Sequence, residues 1–147
     1  MLITANDMQI SANGGNVITL CIDWCALLQT KGHVDIELST LDYTALCDPV
    51  ELLTLDLNDV TEVKGHRTNT VCVSACRSLP LTAVVYWFEL RLSESVVVSS
   101  VDKRTHWTQA AILFYDELEL EADCQYCLET VYSENCITVN VQQQLSA

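Results

Sequence analysis

The sequence predicts an all-β fold, a single antiparallel β-barrel or sandwich, from three features. Short segments rich in β-branched and aromatic residues recur between residues 17 and 141, polar turns separate them, and no helical apolar stripe is as long as these strands. Closing such strands on one another removes exposed sheet edges. With 147 residues, 50% of them hydrophobic, the chain can bury one core of ordinary size. Only four Gly and two Pro punctuate it, and no tandem period or low-complexity block marks a linker. The expected division is a poorly ordered or partial lead-in over residues 1–16, a β-barrel-like domain over 17–142 and a tail over 143–147.

In order, the lead-in is polar and contains the turn Asn13-Gly14-Gly15-Asn16. Residues 17–28 and 34–38 are apolar and β-branched, separated by Gln29-Thr30-Lys31-Gly32. Residues 50–57 leave the Pro49 corner with an alternating pattern, which predicts a strand. Residues 70–76 and 81–92 flank the short Arg77-Ser78-Leu79-Pro80 connection and read as a hairpin. The second strand of that hairpin, carrying Tyr86, Trp87 and Phe88, is expected at the centre of the core. Residues 96–99, 107–115, 126–132 and 136–141 complete the strands, with Ser133-Glu134-Asn135 as a turn and the acidic stretch 116–123 open to a helical turn.

Twenty Asp and Glu against seven Lys and Arg leave a formal net charge of −13, which repels a phosphate backbone and disfavours nucleic acid. The same field suits a basic partner such as an Arg-rich peptide, and it also keeps a domain soluble. Asp23 and Asp35 interrupt the most apolar stretches, so no run reaches the roughly 18–20 residues that cross a bilayer, and no membrane partner is expected. The first 16 residues hold no Lys or Arg, unlike a secretory signal, and a cytoplasmic or nuclear location is the expectation.

In that setting the eight cysteines read as reduced side chains rather than disulfides. Cys72 and Cys76 in Thr-Val-Cys-Val-Ser-Ala-Cys share one strand face and are expected in the core. Cys124-Gln125-Tyr126-Cys127 has the spacing of half a zinc knuckle, but no second such pair occurs, so no metal site is assigned.

Catalytic signatures are missing. Gly14-Gly15 is followed by a strand rather than a helix and offers no nucleotide cradle, and His33, His66 and His106 each stand apart in the sequence. Neither a catalytic residue nor a cofactor-binding residue is assigned, and turnover by this chain alone is not expected. One cluster combines a titratable ring, an aromatic face and an amide: Thr105-His106-Trp107-Thr108-Gln109. Trp107 could stack on a guanidinium, and His106 could donate to a carboxylate across an interface. A core Trp beside a surface His is the plainer reading of the same residues.

The run Leu81-Thr82-Ala83-Val84-Val85-Tyr86-Trp87-Phe88-Glu89-Leu90, then Val98-Ser99-Ser100, then Thr105-His106-Trp107-Thr108-Gln109, resembles the C-terminal β-barrel of protein arginine methyltransferases. Upstream, Ala45-Leu46-Cys47-Asp48-Pro49 looks like that family's strand entry, with Cys47-Asp48 where Ser-Glu is usual. Thr108 stands where the family has Lys. Residues 35–41, 81–92 and 137–142 are most similar to the C-terminal end of a member with tandem methyltransferase modules. The resemblance, over roughly residues 17–142, implies a parent enzyme that methylates protein arginine with S-adenosylmethionine. This chain would then pack on a Rossmann-like module, close a pseudo-dimer and help position an Arg-rich protein substrate. It also implies that His106 and Trp107 are candidates for a substrate pocket or a domain interface. A free-standing acidic adaptor and a zinc-binding domain are the alternatives carried forward.

Overall fold

The computed structural model describes residues 1–5, 9–12, 16–19, 33–101, 105–133 and 136–144; of residues 2–5, 9–12, 16–19 and 115–117 it describes the backbone path. These residues form an antiparallel β-structure of two sheets packed over a shared core, as the sequence predicts. The five-stranded sheet has the order β4 (Val34–Ile36), β10 (Gln109–Leu120), β7 (Leu79–Tyr86), β1 (Leu2–Ala5) and β5 (Tyr43–Ala45). The three-stranded sheet has the order β12 (Cys136–Gln143), β11 (Gln125–Ser133) and β6 (His66–Ser74). Two hairpins complete the strands, β2 (Gln9–Ala12) with β3 (Asn16–Thr19) and β8 (Glu89–Arg91) with β9 (Val97–Ser99).

Strand β11 shows most plainly how sequence becomes sheet. Tyr126, Leu128, Thr130 and Tyr132 point inward and are buried, while Gln125 and Glu129 point to solvent, the period of two that a half-buried strand requires. Its register runs without a slip from Gln125↔Ser74 to Ser133↔His66 on one side, and from Tyr126↔Gln143 to Ser133↔Cys136 on the other. The turn entering it places Asp123 at φ 64°, a conformation that Asp tolerates better than most residues. That turn is fastened to the end of β6 by Asp123 N donating to Ala75 O at 2.8 Å and Ala75 N donating to Cys124 O at 3.0 Å.

Strand β7 is buried on both faces. Val84 packs into the shared core with Leu46, Leu120 and Leu128, whereas Ala83 and Val85 face a second cluster with Met1, Val34 and Ile36. Residues 81–86 thus lie at the centre of the five-stranded sheet as expected, whereas Phe88, expected with them in the core, is 45% exposed. Pairing with β10 jumps from Leu113↔Ala83 to Leu118↔Leu81, so β10 spends five residues where β7 spends two. The irregularity bends the sheet and breaks the simple alternation, which is why Leu81 and Val84 share one cluster.

Several expected elements differ. Residues 81–92 are not one strand: the ladder stops after Tyr86, and Trp87 and Phe88 lead into the separate strand β8. Strands β6 and β7 do not form a hairpin, since β6 pairs with β11 while β7 pairs with β1 and β10; residues 75–78 turn the corner between sheets. Residues 50–57 have no ladder partner. Val50 and Leu52 pack on the core, Asn69 Nδ2 donates to Leu52 O at 2.7 Å, and Leu57 is exposed, so the alternating Leu53, Leu55 and Leu57 do not mark a buried strand face. The acidic stretch 116–123 is not helical; β10 runs to Leu120 because Leu118 and Leu120 pair with Leu81 and Leu79. Residues 37–38 are not strand either: β4 stops at Ile36 and a 3-10 turn follows at Leu38–Thr40. Cys72 and Cys76 are exposed rather than in the core, because Val73 and Ala75 take the inward positions, and Cys76 lies past the end of β6. Of the predicted strand over 17–28, residues 20–28 lie outside the described residues.

Among the described residues there is one α-helix, α1 (Val60–Lys64), capped by Asp59, whose carboxylate accepts from Thr61 N at 2.8 Å. Tyr132 donates its hydroxyl to Val63 O, and Arg67 pairs with Glu62, so α1 is held against the edge of the three-stranded sheet.

Candidate functional site at the start of strand β10

The Thr105–Gln109 cluster sits where a loop becomes β10, beside the 3-10 turn that follows β4. Gln109 opposes Ile36 across the ladder, and its side chain turns inward, only 6% exposed. The amide bridges two backbones: Oε1 accepts from Leu38 N at 2.8 Å, and Nε2 donates to Ser100 O. A buried amide with donor and acceptor both used is a positional lock, because displacing it strands two buried polar groups.

Ser100, 1% exposed, carries the lock one step further. Its N–H donates to Phe88 O at 3.0 Å and its Oγ accepts from Phe88 N at 3.2 Å, closing the base of the β8–β9 hairpin. Phe88 in turn meets Trp107 edge to face, with ring centroids 5.0 Å apart and planes at 62°. Neither ring is a core residue: Trp107 is 50% and Phe88 45% exposed. Leu92, Val96, Val97 and Val101, on or beside the same hairpin, are also exposed, so this end of the molecule concentrates apolar surface.

His106 and Trp107, the two residues nominated from sequence, line a single open groove of about 610 Å³. Glu37, Leu41, Tyr43 and Val101 form other parts of its wall. The groove thus offers a carboxylate, aromatic rings and an imidazole within one concavity, a set able to receive a cationic planar group. His106 is exposed on the rim and Trp107 is no core residue, so the plainer alternative for Trp107 is set aside.

The sequence marks Gln109 as the amide of its cluster and Phe88 as a core strand residue, but it does not show that Gln109, Ser100 and Phe88 do the positioning. Each lay in a quoted motif, but an amide, a hydroxyl and a ring gain their meaning only from partners 9 to 71 residues away. The half-knuckle cysteines do not converge either: Cys124 Sγ approaches Glu121 Oε2 at 3.6 Å, whereas Cys127 faces Cys72. Among the described residues no group of three or more His, Cys, Asp or Glu side chains gathers as for a metal. Among them, too, no helix is long and apolar enough to cross a membrane.

Residues 10–143 match the family described as the arginine methyltransferase oligomerization subdomain. The chain belongs to this protein arginine methyltransferase family. It is similar to protein arginine N-methyltransferase 9 of Mus musculus, 32% identical over 114 residues, and of Homo sapiens, 30% identical over 115 residues. Each alignment covers 78% of this chain and 13% of the relative. The Xenopus laevis protein of the same name is 32% identical over 106 residues, covering 66% of this chain and again 13% of the relative.

Proposed function

We propose that this chain is the barrel portion of an S-adenosylmethionine-dependent protein arginine methyltransferase, docking against a methyltransferase module and helping to position a basic substrate. It performs no turnover alone. The apolar end formed by Phe88, Trp107 and the β8–β9 hairpin carries the docking reading, because such a patch rimmed by polar groups is a contact surface. Glu37 and Trp107 on one groove support the substrate reading, since a guanidinium is attracted both to a carboxylate and to an indole face. A net charge of −13 raises the local concentration of an Arg-rich chain, and the reading places the protein in the cytoplasm or nucleus, where methylated proteins and the methyl donor meet.

Methyl transfer itself depends on holding donor and acceptor in line, and this chain's part is to fix the geometry of neighbours rather than to grip the donor. The test is calorimetric. The chain alone is expected to show no S-adenosylmethionine binding, and to bind a separately prepared methyltransferase module of protein arginine N-methyltransferase 9. Trp107→Ala should weaken that second binding by about tenfold, the size expected for a half-exposed aromatic anchor. Micromolar donor binding by the chain alone, or an unchanged module affinity in Trp107→Ala, would sink the proposal.

A further inference from the structure

We propose that Cys72 and Cys127 form a cross-strand dithiol that closes to a disulfide on exposure to a small-molecule disulfide of the glutathione type. The two residues are direct partners in the β6–β11 ladder, and their Sγ atoms lie 2.6 Å apart. Directly opposed residues in antiparallel strands have Cα atoms about 4.5 or 5.5 Å apart, and disulfides span about 4.4–6.8 Å, so the bond needs no backbone movement. Both side chains leave the outer face of the three-stranded sheet, because Val73, Tyr126 and Leu128 take the inward positions. Cys72 is exposed and Cys127 half-buried, within reach of a dissolved oxidant.

The exchange is balanced in two steps. The Cys72 thiolate attacks one sulfur of glutathione disulfide, whose S–S bond breaks, and the departing glutathione thiolate takes up a proton. Cys127 then loses its proton to solvent and attacks the Cys72 sulfur, expelling the second glutathione thiolate, which is protonated in turn. Two protein thiols are oxidised and one glutathione disulfide is reduced to two thiols. Cys72 acts first because it is the more accessible. The Cys127 thiol is held above its ordinary range by the hydrogen bond with Cys72, then by burial and by the charge of a Cys72 thiolate. The bond would join residues 55 apart and tie β6, an edge of its sheet, to the central strand. The neighbouring thiols are engaged elsewhere: Cys76 Sγ approaches Ala45 O and Cys124 Sγ approaches Glu121, both at 3.6 Å.

The chain is equilibrated with glutathione disulfide, quenched with an alkylating reagent, digested with trypsin and read by fragmentation mass spectrometry. The expected product is the peptide of residues 68–77 bonded to that of residues 105–147, with fragments assigning the link to Cys72 and Cys127. Cys72→Ser and Cys127→Ser should each abolish this link, whereas Cys76→Ser and Cys124→Ser should retain it. The unsubstituted chain alone carries the answer if a variant fails to fold. Full alkylation of both cysteines after treatment overturns the proposal, as does glutathione retained on Cys72 beside a free Cys127, or a link assigned to Cys76 or Cys124.

Discussion

The two sheets are built by different rules. The three-stranded sheet keeps one register along every pair, and its central strand β11 alternates inward and outward residues. The five-stranded sheet gathers strands from distant parts of the chain, covers β7 on both faces, and breaks its register between Leu113 and Leu118. The regular sheet supplies half of the main core and a plain outer surface. The irregular one presents, at the start of β10, the groove and the aromatic pair. The groove lies where loops join these strands, and the aromatic pair lies outside the ladder itself.

Substitutions can break that contrast. The largest effect is expected from Leu128→Ala, at a fully buried position in the middle of β11, which should cost about 2–5 kcal/mol in denaturant unfolding because a close-packed core cannot collapse onto the space. Less than about 1 kcal/mol would show that the three-stranded sheet is not the stabilising half.

A smaller effect, about 2 kcal/mol, is expected from Gln109→Glu, since the replacement keeps an acceptor for Leu38 N but sets a carboxylate against Ser100 O. Its signature should be local. Hydrogen exchange at residues 38, 88 and 100 should accelerate while β11 stays protected; uniform acceleration across both sheets would refute the division of labour.

The smallest effect runs the other way. Thr130, 1% exposed in β11, has no partner for its hydroxyl among the described residues. Thr130→Val removes an unpaired buried oxygen at almost constant shape and should stabilise the chain by about 1 kcal/mol, read as a raised denaturant midpoint. A lowered midpoint would mean that the hydroxyl is satisfied in solution.

The same contrast explains what could be read from sequence. Residues 126–132 and 136–141 were legible as strands because each pairs with a neighbour at constant register and buries one face, so local pattern and tertiary role coincide. The hairpin expected across Arg77-Ser78-Leu79-Pro80 failed because proximity in sequence does not say that a turn changes sheet. Residues 50–57 misled in another way: Leu53, Leu55 and Leu57 alternate in the sequence, yet the contacts to the core come from Val50 and Leu52, and no ladder partner exists. His106 and Trp107 were visible as an unusual cluster, and the groove does bring them together. The lock behind them was not visible, because Gln109 acquires its role only through Leu38 and Ser100.

An amide neither gains nor loses a proton over the range in which proteins stay folded. The brace beneath the aromatic pair is therefore indifferent to acidity, and the groove floor should keep its shape through changes that alter the charge of its rim. What the groove receives therefore meets a floor fixed by the two hydrogen bonds of one amide and not by the protonation of a side chain.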